Sequence, residues 1–263
     1  MNIADYYQEE GQGPPLVFVH GSFATLSSWK KITAHFSPYY RCIAIKLPGH
    51  CGLADPADFA APTVQTELAI IEQVINSLTH QPIHLIGHSY GGVVALALAL
   101  KGSVEIAQLS LFEPVATWVL PLVGDTAMQR RVDDFLIDYR HAVSVDEHYA
   151  CARVIDFWNG DGSFAALPTT IKEAMTLLTA NNIRHWDICT QSEYSINDLQ
   201  ALLVPTRLVI GEASNPVAQA IAAHLADLIA NSKCYRITAA SHSMINTHAD
   251  FCSNILSDSE GLL

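Results

Sequence analysis

Short apolar runs alternate with amphipathic stretches along the first hundred residues of the chain. Each run is bounded by turn residues and is typical of a parallel strand buried on both faces; the runs are 16–19, 42–45 and 82–86. A stretch with helical spacing of apolar side chains follows each of them; these stretches are 27–36, 64–78 and 93–100. This order predicts a parallel sheet with helical crossovers. Ile3 to Tyr7 adds a predicted edge strand before it.

The alternation stops after the next apolar run, 106–112, and only helical periodicity is found from 115 to 203. It then resumes with two further strands, predicted at 206–211 and 234–238, each followed by a helix, predicted at 216–229 and 249–256. The chain is therefore predicted to be an α/β protein with a mostly parallel central sheet flanked by helices.

A segment of roughly 85 residues between two sheet strands is too long for a plain connection. We interpret it as a helical cap over the carboxyl edge of the sheet, where open α/β sheets bind ligands. The predicted domains are a core made of residues 1–114 and 204–263, and a cap made of residues 115–203.

The net charge of −12, from 26 acidic and 14 basic residues, predicts repulsion of phosphate backbones, so we expect no nucleic-acid partner. The first ten residues lack the basic and apolar regions of a secretory signal. The longest strongly apolar run, Val93 to Leu100, is too short to cross a bilayer. We therefore expect a cytoplasmic protein with no membrane partner.

The six cysteines are widely spaced, and none of the twelve histidines forms a metal-binding pair on a predicted helix. No C-x-x-C pair is present, and no H-x-x-x-H or H-E-x-x-H pattern would place two histidines on one helical face. We expect neither a metal site nor a disulfide framework, and no cofactor.

A G-x-S-x-G sequence, Gly87 to Gly91, joins the predicted strand at 82–86 to the helix at 93–100. This context is typical of the nucleophile elbow, in which glycines permit a tight turn and the central serine projects from it. Ser89 is therefore the predicted nucleophile.

A serine hydroxyl needs a base to accept its proton. We choose His242, because it follows the last predicted strand and would lie over the carboxyl edge of the sheet, facing the elbow. His248 is the main competitor and is read as a surface residue. His224 lies inside a predicted helix, His84 inside a strand, and His88 is expected to point away from the serine.

The chain resembles the α/β-hydrolases of the capped, esterase-like kind. The resemblance rests on four motifs in family order: His20-Gly21-Ser22-Phe23 with Trp29, Leu47-Pro48-Gly49-His50, Gly87-His88-Ser89-Tyr90-Gly91-Gly92, and Ser241-His242-Ser243-Met244. It implies a Ser/His/acid triad and acyl transfer through an acyl-enzyme. It also implies an oxyanion hole formed by the backbone N–H groups of Ser22 and Tyr90, with Phe23 as the alternative to Ser22. We interpret His20 and His50 as structural residues of their turns.

The acid of the triad departs from the family pattern. Members usually carry an aspartate in a G-x-x-D turn after the strand at 206–211, where this chain has Ser214. Some relatives place the acid at the end of the strand that follows the elbow helix, and that position is Glu113 here. Glu113 is the predicted acid, with Glu212, Asp187 or a triad without a functional acid as the alternatives.

Apolar residues are frequent in the predicted cap, and we expect most of them to form its own core rather than the pocket wall. They are Trp118, Leu120, Leu122, Phe135, Phe157, Trp158 and Phe164. With Phe23, Tyr90 and Met244 near the nucleophile, they indicate a mainly apolar pocket for a small-molecule substrate. The predicted activity is hydrolysis of a small to medium carboxylic ester with an apolar acyl or alkyl part.

Two other functions stay open at the level of sequence. The same residues would cleave amides, lactones, thioesters or activated C–C bonds. A ligand-binding receptor or a decayed hydrolase is the alternative outside enzymes, because the acid is missing at Ser214. Exposed faces of the cap and of the C-terminal helix would permit a homodimer.

Overall fold

A computed structural model describes residues 2–191 and 194–258. Its seven strands form one sheet in the order β1-β3-β2-β4-β5-β6-β7. They are β1 Tyr7–Glu10, β2 Pro15–Val19, β3 Arg41–Ile45, β4 Ile83–His88, β5 Ile106–Phe112, β6 Thr206–Gly211 and β7 Ser232–Ile237. Strand β1 is antiparallel to β3, and all other neighbours are parallel. The predicted α/β class and mostly parallel sheet are confirmed.

Helices flank this sheet throughout the part of the chain that the structure describes. They are α1 Lys30–Phe36, α2 Gln65–Leu78, α3 Tyr90–Lys101, α4 Val119–Val123, α5 Thr126–Ser144, α6 Ala152–Asn159, α7 Thr169–Thr176, α8 Thr179–Thr190, α9 Ile196–Gln200, α10 Pro216–Leu228, α11 Met244–Thr247 and α12 Ala249–Ser257. Within the described residues, none of these helices is both long and apolar enough to cross a bilayer.

The sheet is buried on both faces because its central strands carry apolar side chains at consecutive positions. Side chains alternate between the faces of a strand, so Leu85 and Ile86 of β4 enter different apolar clusters. Leu85 packs in the cluster that contains α2, α3 and α10, and Ile86 packs in the one that contains Trp29 and α12. This two-sided burial explains why the strands appear in the sequence as continuous apolar runs.

The residues between β5 and β6, which we call the helical insertion, form α4 to α9, and their described part contains no strand. Trp158 and Trp186 of the insertion belong to the same apolar cluster as Val93 of α3. The buried guanidinium of Arg184 in α8 also forms an ion pair with the buried carboxylate of Glu67 in α2. The division into a core domain and a cap at residues 115–203 stays a prediction.

The predicted edge strand at Ile3 to Tyr7 is wrong over most of its length. Ile3–Tyr6 form a single turn of 3-10 helix, in which the Asp5 N–H donates to the Asn2 carbonyl oxygen at 3.1 Å. The strand begins only at Tyr7, opposite Ile45. None of the four helical residues is fully buried, so no sheet packing opposes the local turn.

Candidate active site

Ser89 lies at the turn between β4 and α3 in a conformation that non-glycine residues rarely adopt. Its φ is 57° and its ψ is −123°. A Cβ atom added at Gly87 would lie 2.4 Å from the Gly91 carbonyl oxygen, and one added at Gly91 would lie 2.3 Å from the Val19 oxygen. Only glycine fits at both positions, so the G-x-S-x-G spacing is a steric requirement of this turn.

Glu113 and His242 are brought together at the carboxyl edge of the sheet. His242 Nδ1 lies 2.7 Å from Glu113 Oε2, and the other carboxylate oxygen, Oε1, accepts the backbone N–H of Gly211 at 2.8 Å. Glu113 follows β5, is fully buried, and has a φ of 41°. Because an ionised carboxylate only accepts, His242 donates from Nδ1, which leaves Nε2 as the acceptor nitrogen of the neutral ring.

The other acids considered for this position lie elsewhere. Glu212 is exposed, and Asp187 forms an ion pair with Arg140 at 2.5 Å. Neither contacts His242 in the part of the chain that the structure describes. Ser214 is buried, and its hydroxyl has no hydrogen-bond partner among the described residues.

Ser89 and His242 line the same cavity, whose volume is about 120 Å³. The helical insertion contributes mainly apolar side chains to the opposite wall: Val154, Ile155, Trp158, Met175 and Trp186. None of the described residues that line the cavity is Asp, Glu, Lys or Arg. Among the seven apolar residues predicted for the cap, Trp158 is part of this lining. Phe157 instead stacks on Phe135 at 4.2 Å inside the insertion.

The turn at Ser22 is held by three side chains. Its hydroxyl accepts from Asn182 Nδ2 at 2.8 Å and lies 2.7 Å from His185 Nδ1, and its carbonyl oxygen lies 2.5 Å from His50 Nε2. Asn182 and His185 belong to α8, so the insertion contacts this turn directly. Burial lowers the pKa of His185 well below its ordinary value, so the ring is neutral.

The N–H groups predicted for the oxyanion hole are available for a ligand. Ser22, Phe23 and Tyr90 all line the cavity, and their N–H groups have no acceptor among the described residues. Tyr90 is the first residue of α3, where backbone N–H groups lack intrahelical partners. Its ring stacks on His185 at 3.7 Å.

Two other histidines are buried and neutral near the site. Burial and the neighbouring His50 lower the pKa of His20 to about 3; its Nε2 accepts the Leu47 N–H, and its Nδ1 donates to the Gly21 oxygen. Burial also lowers the pKa of His88 to about 3. The ring of His88, which we expected to point away from the serine, lies 4.9 Å from that of His242, and its Nε2 donates to the His242 carbonyl oxygen.

Sequence reasoning missed Asn159, Asn182 and His185, which contact the loops of the site from the insertion. Asn159 is followed by glycine and reads as a turn residue in the sequence. Asn182 and His185 are separated by three positions on a helix and share one face, which is the only signal that the sequence offers for them.

A model described as the alpha/beta hydrolase family matches residues 16–254 of the chain. Over 99 residues the chain is 30% identical to (E)-2-((N-methylformamido)methylene)succinate hydrolase of Acinetobacter baylyi, an alignment that covers 38% of the chain and 37% of the relative. Pimeloyl-[acyl-carrier protein] methyl ester esterase of Aeromonas salmonicida is 35% identical over 92 residues, or 34% of each protein. The chain thus spans little more than a third of these relatives. The esterase of the same name from Vibrio cholerae aligns over 97% of the chain and 98% of its own length, at 23% identity.

Solved structures show the same fold. The structure of MenH from S. aureus has a TM-score of 0.76 at 21% identity and covers 95% of this chain and 96% of its own. The enol-lactonase from Burkholderia xenovorans has a TM-score of 0.71 at 18% identity, with 95% and 94% covered.

Proposed function

The chain belongs to the alpha/beta hydrolase family, and from that premise we propose that it is a serine esterase with Ser89 as nucleophile, His242 as base and Glu113 as acid. Hydrolase activity follows from the family, whereas the esterase chemistry and the three roles are our proposal. The observation that carries it is the 2.7 Å contact between Glu113 and His242 beside the cavity that Ser89 lines. A histidine held by a buried carboxylate next to an elbow serine is suited to nucleophilic catalysis.

In the proposed first step, Nε2 of His242 accepts the proton of the Ser89 hydroxyl while the serine oxygen attacks the ester carbonyl carbon. Glu113 remains ionised; it keeps Nδ1 protonated and stabilises the imidazolium that forms. The carbonyl oxygen gains negative charge and is bound by the N–H of Tyr90 and that of Ser22 or Phe23. Each such donor contributes about 3 kcal/mol to the stability of the transition state.

In the proposed second half, the tetrahedral intermediate collapses, the ester C–O bond breaks, and His242 returns the proton to the departing alcohol. The acyl group is then bound to Ser89. Water gives a proton to His242 as its oxygen attacks the acyl carbon. The C–O bond between the acyl group and Ser89 then breaks, His242 returns the proton to the serine oxygen, and the carboxylic acid leaves. Every group that these steps use is supplied by the protein's side chains, its backbone N–H groups and water.

The substrate that we propose is a neutral, mainly apolar ester of small to medium size. Support comes from the cavity, whose described lining residues include aromatic and aliphatic side chains and no ionisable Asp, Glu, Lys or Arg. A carboxylate on the substrate would lose its hydration there without gaining an ionic partner. The name of the V. cholerae relative, a methyl ester esterase, favours ester cleavage over the cleavage of amide or C–C bonds. Cytoplasmic location and a homodimer stay predictions.

The test is turnover and labelling of wild-type protein and of Ser89→Ala. The wild type is expected to hydrolyse p-nitrophenyl acetate, butyrate or octanoate and to react with a fluorophosphonate probe. Ser89→Ala is expected to lose labelling and at least about 1,000-fold in kcat. Ser144→Ala, which removes an exposed hydroxyl on α5, is the matched control. Absence of turnover on every ester by a folded wild type, or labelling that persists in Ser89→Ala, would overturn the proposal.

A further inference from the structure

The last two residues of α6 contact the loop that carries His242. Asn159 Oδ1 accepts the Ser243 N–H at 2.9 Å and the Ser243 hydroxyl at 2.8 Å, and the Ser241 hydroxyl donates to it at 3.1 Å. Because a backbone N–H can only donate, the side-chain oxygen of Asn159 must face the loop. One residue of the helical insertion therefore holds the residues on both sides of His242.

Trp158 covers one face of the His242 ring. The two rings are nearly parallel, with an angle of 25° and a centroid separation of 5.3 Å. Trp158 also stacks on Trp186, with a centroid separation of 5.7 Å and an angle of 7°. The indole is 4% exposed, so its position is set by packing rather than by solvent.

The remaining contacts of the His242 ring come from the sheet. The ring of His88, at the end of β4, lies 4.9 Å from the imidazole at an angle of 37°, and Glu113, after β5, contacts Nδ1. These two are the titratable side chains packed against the imidazole in the described part of the chain. The sheet thus supplies two of the three supports of the ring, and the helical insertion supplies the third.

We infer that Trp158 and Asn159 are positioning residues for the catalytic base, so that the helical insertion takes part in catalysis as well as shaping the pocket. This inference rests on the proposed function, in which His242 accepts the serine proton. Proton transfer depends steeply on geometry, and a displacement of about 1 Å lowers a rate by about 100-fold. When His242 becomes an imidazolium, the face of Trp158 also attracts its charge.

The test uses kcat, KM and the pH dependence of kcat/KM with p-nitrophenyl acetate, the smallest of the three esters. Trp158→Leu is expected to lower kcat by about 3- to 30-fold, with a smaller change in KM, and Trp158→Phe to recover most of the loss. Asn159→Leu is expected to lower kcat by about 10- to 100-fold. Asn159→Asp keeps an acceptor oxygen and is expected to remain within about 10-fold of the wild type.

The acid limb of the kcat/KM profile separates positioning from a structural role. Trp158→Leu removes a group that favours the cation and is expected to move this limb to lower pH. Asn159→Asp adds a negative charge beside the loop and is expected to move it to higher pH. A merely structural role of Trp158 would leave the limb of Trp158→Leu unmoved, and the shift in Asn159→Asp checks that the limb reports the ionisation of His242.

Ile155→Ala is the matched control, because Ile155 lies on the same helix and lines the same cavity but makes no side-chain contact with the His242 loop among the described residues. It is expected to alter KM and leave the acid limb in place. If Trp158→Leu and Asn159→Leu fold and both keep the wild-type kcat and the wild-type acid limb of kcat/KM, the inference is overturned and the proposed function is not. A wild type that hydrolyses no ester would overturn the proposed function as well. Should Asn159→Leu fail to fold, the shorter Asn159→Ser decides by the same criteria.

Discussion

Replacing Glu113 by glutamine changes the hydrogen-bond chemistry of the site with little change in shape. The carboxylate accepts from two fixed donors, the Gly211 N–H at 2.8 Å and His242 Nδ1 at 2.7 Å. A glutamine amide has one acceptor oxygen and one donor nitrogen. The backbone N–H of Gly211 cannot become an acceptor, so the amide oxygen is expected to face Gly211 and the amide nitrogen to face His242.

This arrangement reverses the tautomer of His242. Facing a donor, Nδ1 has to become the acceptor, so the proton of the neutral ring moves to Nε2, which can then no longer take the proton of Ser89. The loss of the correct tautomer in a serine triad lowers kcat by about 10,000-fold. Because the imidazolium also loses its counter-charge, we expect a decrease of about 1,000- to 10,000-fold, or about 4 to 5.5 kcal/mol in the activation free energy.

Steady-state hydrolysis of p-nitrophenyl butyrate measures the effect, with the rate of fluorophosphonate labelling as a second readout. The thermal midpoint is expected to stay close to that of the wild type, because the bond to Gly211 is kept. Glu212→Gln, which neutralises an exposed carboxylate nearby in the sequence, is the control and is expected to retain full activity. A folded Glu113→Gln variant with kcat within about 10-fold of the wild type would refute the assignment of the acid.

Two further predictions concern stability. Arg184→Met leaves the carboxylate of Glu67 buried without its partner and is expected to lower the free energy of unfolding, measured in urea titrations, by about 3–5 kcal/mol. The double variant Arg184→Met with Glu67→Leu is expected to recover most of this loss. Equal losses in the single and the double variant would contradict this reasoning. The folded-state pKa of His20 is lowered to about 3, below its unfolded value of about 6.5, so its contribution to stability is present above pH 6.5 and is lost as the pH falls toward 3. In urea titrations, the contribution of His20 to the free energy of unfolding is expected to be about 2 kcal/mol smaller at pH 5 than at pH 7.5. His20→Gln is expected to remove that part of the pH dependence. If the free energy of unfolding of the variant varies with pH as in the wild type, the result would speak against a neutral His20.

Most of the fold could be predicted from the sequence because the sheet is buried on both faces. Consecutive apolar residues such as those of β2 arise only where both sides of a strand are covered, and they locate the strand directly. The elbow could also be predicted from the sequence, since the backbone around Gly87 and Gly91 leaves no room for a Cβ atom and both positions must be glycine. The N-terminal turn at Ile3–Tyr6 was not, because four residues at the edge of the molecule leave no periodic signal.

The supports of the site could not be predicted, because they depend on contacts between residues far apart in the chain. Asn159 and Ser243 are 84 positions apart and are joined by hydrogen bonds of a kind that no local pattern encodes. The contact between His88 and His242 could not be predicted for a related reason: the elbow sets the direction of the His88 backbone, but the contact depends on where the loop after β7 passes.

The contact that Glu113 makes with His242 from the end of β5 has a consequence for how the protein can be altered. If Glu113 is the acid, as we propose, the nucleophile and its acid lie on one β-α-β unit, and the segment between β6 and α10 carries no reacting group. That segment instead serves the scaffold: Asn215 caps α10 through the Val217 N–H and donates to the Phe157 oxygen of the helical insertion. Glu212 and Ala213 are exposed, but their backbone N–H groups donate to the carbonyl oxygens of Ile237 and Ala240, so side-chain changes at these two positions, rather than changes in loop length, are expected to leave the His242 loop in place.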